Sequence, residues 1–110
     1  MPNVYIPHIV RRLDRQTGKL KPAIDLSQAA KLGQLKEVVD EFEMLLLADS
    51  VTKKAKQALA NFTDDDFLLA VGDPTVIAIC AGILFKTRDV VKMLKWDRRM
   101  GDYIQLEVRV

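Results

Sequence analysis

The chain opens on a β-rich apolar run, with Val4, Tyr5, Ile6, Ile9 and Val10 inside ten positions. This predicts a strand over 4–10, and Pro7 within it points to an edge or a bulge, because proline cannot donate to a ladder. Its place in a sheet is open: beside 67–72, or at the far edge with 35–39. The polar stretch "RRLDRQTGKLKP" follows, with Asp14 and Thr17-Gly18 as turn residues. It reads either as a hairpin between 9–13 and 19–24 or as a loop. Asp25 and Gln28 have the spacing of a capping box for a short helix that Gly33 would stop. Residues 35–46 carry two periods at once. Leu35, Val38, Val39, Phe42, Leu45 and Leu46 fit a helical stripe, whereas "LKEVV" fits a short strand.

Further along the pattern is simpler. Asp49 or Ser50 caps a helix whose apolar side is Val51, Ala55, Ala58, Leu59 and Phe62, with Lys53, Lys54 and Lys56 off it. "DFLLAV" predicts a strand over 67–72 of the kind buried on both faces in a parallel sheet. Residues 74–86 are apolar nearly all round, which predicts a central, well-covered helix. "VVKMLKW" is a strand over 90–96, "DRRMGD" a turn with Gly101, and "YIQLEVRV" a final strand. In that strand Ile104, Leu106, Val108 and Val110 face in, while Gln105, Glu107 and Arg109 face out, a pattern suited to a sheet edge. The elements predict one α/β domain over 1–110. Its mixed sheet has four to five strands, a right-handed βαβ unit over 67–96 and a C-terminal antiparallel hairpin.

Candidate chemistry is sparse. Gly72-Asp73-Pro74 joins a strand to a helix, where backbone amides often hold phosphate. Here each residue has a structural role, since Gly72 turns the chain, Asp73 caps the helix, and Pro74 fits its first position. No second glycine and no Lys-Ser/Thr pair follows, and Thr75 is the only nearby hydroxyl. His8 is the only histidine, so any His-based acid–base or metal chemistry would hang on one imidazole in an N-terminal strand. Without a second His or a Cys cluster it reads as a structural or surface residue. Cys80, mid-helix among Ile79, Ala81 and Ile83, reads as a small buried hydrophobe with a raised pKa. Asp64, Asp65 and Asp66 are consecutive and diverge, so they read as a solvated loop rather than a cation site. No catalytic group, cofactor or metal is expected, and the protein is expected not to be an enzyme.

Charge alters this picture little: 17 Lys and Arg against 15 Asp and Glu leave a net charge of +2. Its distribution matters more. Arg11, Arg12 and Arg15 form one group with Lys19 and Lys21. Lys95, Arg98 and Arg99 form another with Lys92, around Trp96. Arginine beside an exposed aromatic suits a macromolecular partner, although basic turns also serve solubility and a tryptophan ending a strand also serves a core. The candidate partner-binding residues are therefore Arg11, Arg12, Arg15, Lys95, Trp96, Arg98 and Arg99. A lone cysteine fits a reducing cytoplasm. No apolar stretch with a small-residue cleavage site stands at the start, so no secretory leader is expected. Gly72, Asp73 and Pro74 interrupt the longest apolar segment, so no membrane span is expected.

"DLSQAAKLGQL", "DDDFLLAVGDPTVIAICAGIL" and "VVKMLKWDRRMGDYI" resemble a group of small uncharacterised proteins of tailed bacteriophages. In that group an Asp-Leu-Ser segment precedes a Gly-x-Leu strand, and a Gly-Asp/Asn-Pro corner leads into an apolar helix. A strand ending in Leu-x-Trp then leads to a Tyr-Ile strand. The likeness touches residues 25–39 and 62–105, and it favours strand for 35–39. It implies a viral protein acting in the bacterial host's cytoplasm and brings no known active site. The leading expectation is a non-enzymatic interaction protein that binds a host or phage protein through its basic turns or an edge strand. A second copy of the chain, as in a homodimer, is among the partners open to it. Nucleic-acid binding is the alternative, and a Rossmann-like nucleotide site at Gly72–Thr75 the further one.

Overall fold

In the computed structural model, which describes residues 1–40 and 47–110, β1 (Asn3–Ile6) sits inside the main sheet with a parallel neighbour on each side. Those neighbours are β4 (Gln34–Glu37) and β5 (Phe67–Leu69). β6 (Val90–Asp97) continues the parallel set, and β7 (Asp102–Arg109) closes it antiparallel at the edge, giving the order β4-β1-β5-β6-β7. A separate hairpin of β2 (Arg11–Leu13) and β3 (Leu20–Pro22) leaves the carboxyl end of β1. The helices among the described residues are α1 (Ser27–Ala30), α2 (Ala48–Leu59) and α3 (Pro74–Phe85). The expected α/β domain, its βαβ unit over 67–96 and its terminal hairpin are present.

The opening strand is the main correction. It ends at Ile6, and Pro7 marks its end instead of an edge position, since both sides of β1 are paired. The hairpin alternative holds for residues 11–22, with Leu13 opposite Leu20 and Arg12 opposite Lys21. No capping box opens α1. Asp25 accepts from the Ser27 amide at 2.8 Å, while Leu26 occupies the cap position. Gly33 is no helix stop either, as α1 ends at Ala30. A Cβ at residue 33 would strike the Pro2 carbonyl, which accepts from the Gln34 amide at 2.9 Å, so glycine lets β4 start beside Pro2. β4 settles 34–37 as strand, whereas the helical reading of Phe42, Leu45 and Leu46 lies outside the described residues.

α2 starts at Ala48, so Leu47 precedes it and neither Asp49 nor Ser50 is the cap. Asp49 lies in the first turn, where its charge complements the helix dipole. Val51, Ala55 and Leu59 of α2 join Val76, Cys80 and Leu84 of α3 over Tyr5, Leu68 and Val91, forming the core on one face of the sheet. α3 is less covered than its composition suggests. Ala78 and Gly82 are exposed, because one stripe of the helix meets the sheet and α2 while the opposite side faces water. On the other sheet face, Val4, Ile6, Phe67, Leu69 and Leu94 pack with Ala29 and Tyr103. The inward row expected of β7 is only half right. Leu106 is 40% exposed and Val110 open, whereas Tyr103, on the row with Gln105 and Glu107, is the buried member. Among the described residues no helix is long and apolar enough to cross a membrane.

β5 spans 67–69 rather than 67–72, and its entry is fixed by Asp66. This carboxylate is 3% exposed; Oδ1 accepts from the Asn3 amide and Oδ2 from the Thr63 amide, each at 2.8 Å. The triplet expected to be a solvated loop therefore divides. Asp65 is exposed, Asp64 pairs with Arg88 at 3.1 Å, and Asp66 is a buried structural group. Asp66→Ala leaves two partly buried amides without their charged acceptor and is expected to cost about 3 kcal/mol in urea denaturation. Asp66→Asn, which keeps one acceptor, should lose distinctly less.

Candidate functional site

β1 sends the chain to one side of the sheet and β5 sends it to the other, so their carboxyl ends form the topological switch point. Open α/β sheets usually leave a ligand crevice there. In this protein the crevice is filled. Gly72, at φ 110°, lies so close to the His8 carbonyl that a Cβ would collide with it. His8 is held in this junction with Nδ1 buried and without a hydrogen-bond partner among the described residues. At the start of α3 the first amides are already engaged, because Asp73 Oδ1 accepts from the Thr75 amide at 2.9 Å and from the Val76 amide at 3.4 Å. The Gly72–Thr75 corner is thus built as a helix start packed on β1.

The hairpin extends from the same end of the sheet, and Glu37 at the end of β4 anchors it. One Glu37 oxygen accepts from the Ile9 amide at 2.8 Å, and the two oxygens take both ends of the Arg11 guanidinium at 2.9 and 2.7 Å. Arg11 is therefore engaged within the fold. Arg12 and Arg15 are exposed, and Lys21 pairs with Asp14 at 2.7 Å across the hairpin. Leu13 and Leu20 face each other across the hairpin, yet stand 62% and 65% exposed. A two-stranded ribbon is too thin to cover its own apolar side.

The second basic group occupies the β6–β7 turn at that same end. Asp97 stiffens this turn: Oδ1 accepts from the Arg99 amide at 2.8 Å and its carbonyl from the Gly101 amide at 2.9 Å. Lys95, Arg98 and Arg99 are exposed around it, and Met100 at the tip is 69% exposed. Trp96 is 41% exposed and meets Tyr103 edge to face, with ring centroids 5.0 Å apart at 72°. Between this aromatic pair and the hairpin base lies a cleft of about 350 Å³, lined by Ile24, Asp25, Val71, Trp96 and Tyr103. Burial raises the Tyr103 pKa, and the carboxylates of Asp25 and Asp102 raise it further. The Ser27 amide, hydrogen-bonded to Asp25, lowers the pKa of that carboxyl, and the Ser27 side chain lowers it further.

The structure thus places the hairpin group and Lys95, Arg98 and Arg99 at one end of the sheet, whereas Lys92 lines a hollow at the amino end. The apolar cleft lies between the hairpin base and the Trp96–Tyr103 pair. Ile24, Asp25 and Tyr103 in the cleft wall, and the bare pair Leu13 and Leu20, were not among the predicted site residues. The leucines had a usable signal, since a hairpin this short has no core of its own to bury them in. A larger hollow of about 670 Å³ lies at the amino end, but its buried carboxylate, Asp66, is already taken by backbone amides.

The family described as Phage Pam3 gp32-like protein matches residues 2–110, and the chain belongs to that family. No curated protein and no solved structure matches it.

Asp73→Ala is expected to cost about 1 kcal/mol of stability and Asp73→Asn close to nothing, because asparagine caps as well. Titration calorimetry with common nucleotides should register no heat. Micromolar binding that disappears on changing Thr75 would restore the corner as a ligand site.

Proposed function

We propose that this member of the Phage Pam3 gp32-like family is a non-enzymatic interaction protein, binding a host or phage protein in the host cytoplasm through the carboxyl end of its sheet. One observation carries the reading. Val10, Leu13, Leu20, Ile24, Trp96 and Met100 are six of the ten large hydrophobic residues left exposed among the described ones, and all six lie on the hairpin, its base, the end of β6 or the β6–β7 turn. Arg12, Arg15, Lys95, Arg98 and Arg99 are interspersed with them. Aromatic and aliphatic residues mixed with arginine make the composition of a protein interface. The stiff turn and the Glu37 anchor hold these groups in place before a partner arrives, which lowers the entropy lost on binding. Supporting a binding role over a catalytic one, His8 is wedged against Gly72 and Cys80 is buried in α3, its thiol pushed up to about 12. The free edge of β7 offers a second route, strand addition by a partner or by a copy of this chain.

The test is capture from phage-infected cells by the wild type and by a Leu13→Ser/Leu20→Ser double variant, with circular dichroism to confirm folding. The double variant should retain its fold and lose the partner. A protein interface should lose little affinity between about 50 and 200 mM salt, whereas a partner held by several phosphates should weaken by orders of magnitude. The second outcome would replace the protein partner with nucleic acid. Arg98→Ala with Arg99→Ala should weaken capture and leave the melting temperature nearly unchanged, since exposed turn charges contribute little to folding.

A further inference from the structure

The cleft between the hairpin base and the β6–β7 turn has an unusual charge arrangement. The elements that bound it carry exposed arginines, Arg12 and Arg15 on the hairpin and Arg98 and Arg99 in the β6–β7 turn, yet Asp25 is the only charged residue in its wall. The remaining wall is apolar or aromatic, with Val71 and Ile24 flanking the Trp96–Tyr103 pair. We propose that this cleft is an anchor site for one arginine side chain of the protein partner, with the guanidinium against Trp96 and bonded to the Asp25 carboxylate. The inference rests on the reading of this end of the sheet as a protein-binding surface and names the chemistry of its central contact.

Each part of the site selects for that group. A neutral or anionic side chain would cover Asp25 without compensating its charge, and burying an unpaired carboxylate is costly. Asp25 Oδ1 takes the Ser27 amide at 2.8 Å, and no residue among the described ones forms a salt bridge with the carboxylate, so it retains acceptor sites for an incoming donor. The Asp102 carboxylate, whose Oδ1 accepts from the Tyr103 amide at 2.7 Å, adds negative potential at the same tyrosine. Tryptophan gives the strongest cation–π face, and a guanidinium is planar, weakly hydrated and suited to stacking, where an ammonium remains strongly hydrated. A cleft of about 350 Å³ admits one long side chain while the surrounding arginines meet acidic groups on the partner.

Trp96 is the only tryptophan, so its indole N–H gives one cross-peak that reports directly on the cleft. The probe is N-acetyl-arginine methylamide, titrated at constant ionic strength to roughly 50 mM, a range in which even a one-side-chain contact registers. A saturable shift of the indole peak is expected. It should be at least about tenfold weaker for the citrulline analogue, which keeps the shape but lacks the charge, and for Asp25→Asn. Asparagine still accepts from Ser27, so the variant keeps its fold, as the rest of its spectrum will show. Equal shifts from arginine and citrulline, an unchanged titration in Asp25→Asn, or no shift at all would overturn the arginine anchor. If the anchor fails in this way while partner capture still depends on Leu13 and Leu20, the protein-binding reading stands without it.

Discussion

The buried carboxylate of Asp66 holds together two segments that the rest of the sheet is built around. β1 begins at Asn3 and β5 follows Asp66 directly, so a side chain bonded to the Asn3 amide sets where the two strands start relative to each other. The same carboxylate ties the Thr63 turn that brings the chain out of α2. At the opposite end of this strand pair, Gly72 rests on the His8 carbonyl. β1 and β5 are thus fixed at both ends, by a charge-assisted clasp at one and by backbone contact at the other. Both contacts are between residues more than sixty positions apart. Neither forms early by local chain closure, and both require the crossover through β4 and α2 to be complete.

That double fixation closes the switch point itself. Where strands diverge in a doubly wound sheet, the gap between their carboxyl ends ordinarily receives a ligand. Contact between Gly72 and His8 removes the gap, and Asp73 takes up the first amides of α3. What remains open lies beside it, where the hairpin base and the β6–β7 turn diverge over Val71. Glu37 at the end of β4 holds Ile9 and Arg11 at the start of the hairpin. The hairpin therefore projects from a fixed base and keeps its outer leucines in water.

Much of the fold is legible in the sequence because periodicity reports burial. "DFLLAV", the apolar helix after it and "VVKMLKW" point to the βαβ unit, and the alternation of the last strand points to the edge. The misreadings share a cause. Pro7 suggests an edge only if 4–10 is one strand, whereas the chain stops pairing at Ile6 and turns away. Asp66 looks solvated because a sequence shows three aspartates and not which amides converge on one of them. α3 looks central because composition gives how apolar a helix is and not how many layers cover it. The site is legible by halves. Both basic groups are visible as clusters, but nothing in their spacing shows that the arginines of both share one end of the sheet. Asp25 has the spacing of a cap, yet its geometry serves a turn beside Tyr103.

The hairpin's exposed leucines are what favours the proposed protein partner over nucleic acid. An isolated two-stranded ribbon is marginal in water, and this one is held by the Arg11–Glu37 pair, the Lys21–Asp14 pair and an Ala23–Val10 backbone bond. Those bonds fix the ribbon without covering Leu13 and Leu20. Burying a leucine that was exposed is worth about 1.5–3 kcal/mol, so the pair alone can supply a large share of a micromolar complex if its backbone is already ordered. Nucleic acid has little use for such a pair, since phosphates seek cations and bases seek flat aromatic faces. A protein surface with an apolar groove does. In the proposed complex the arginines around the pair act at longer range, orienting an acidic partner before the leucines dock.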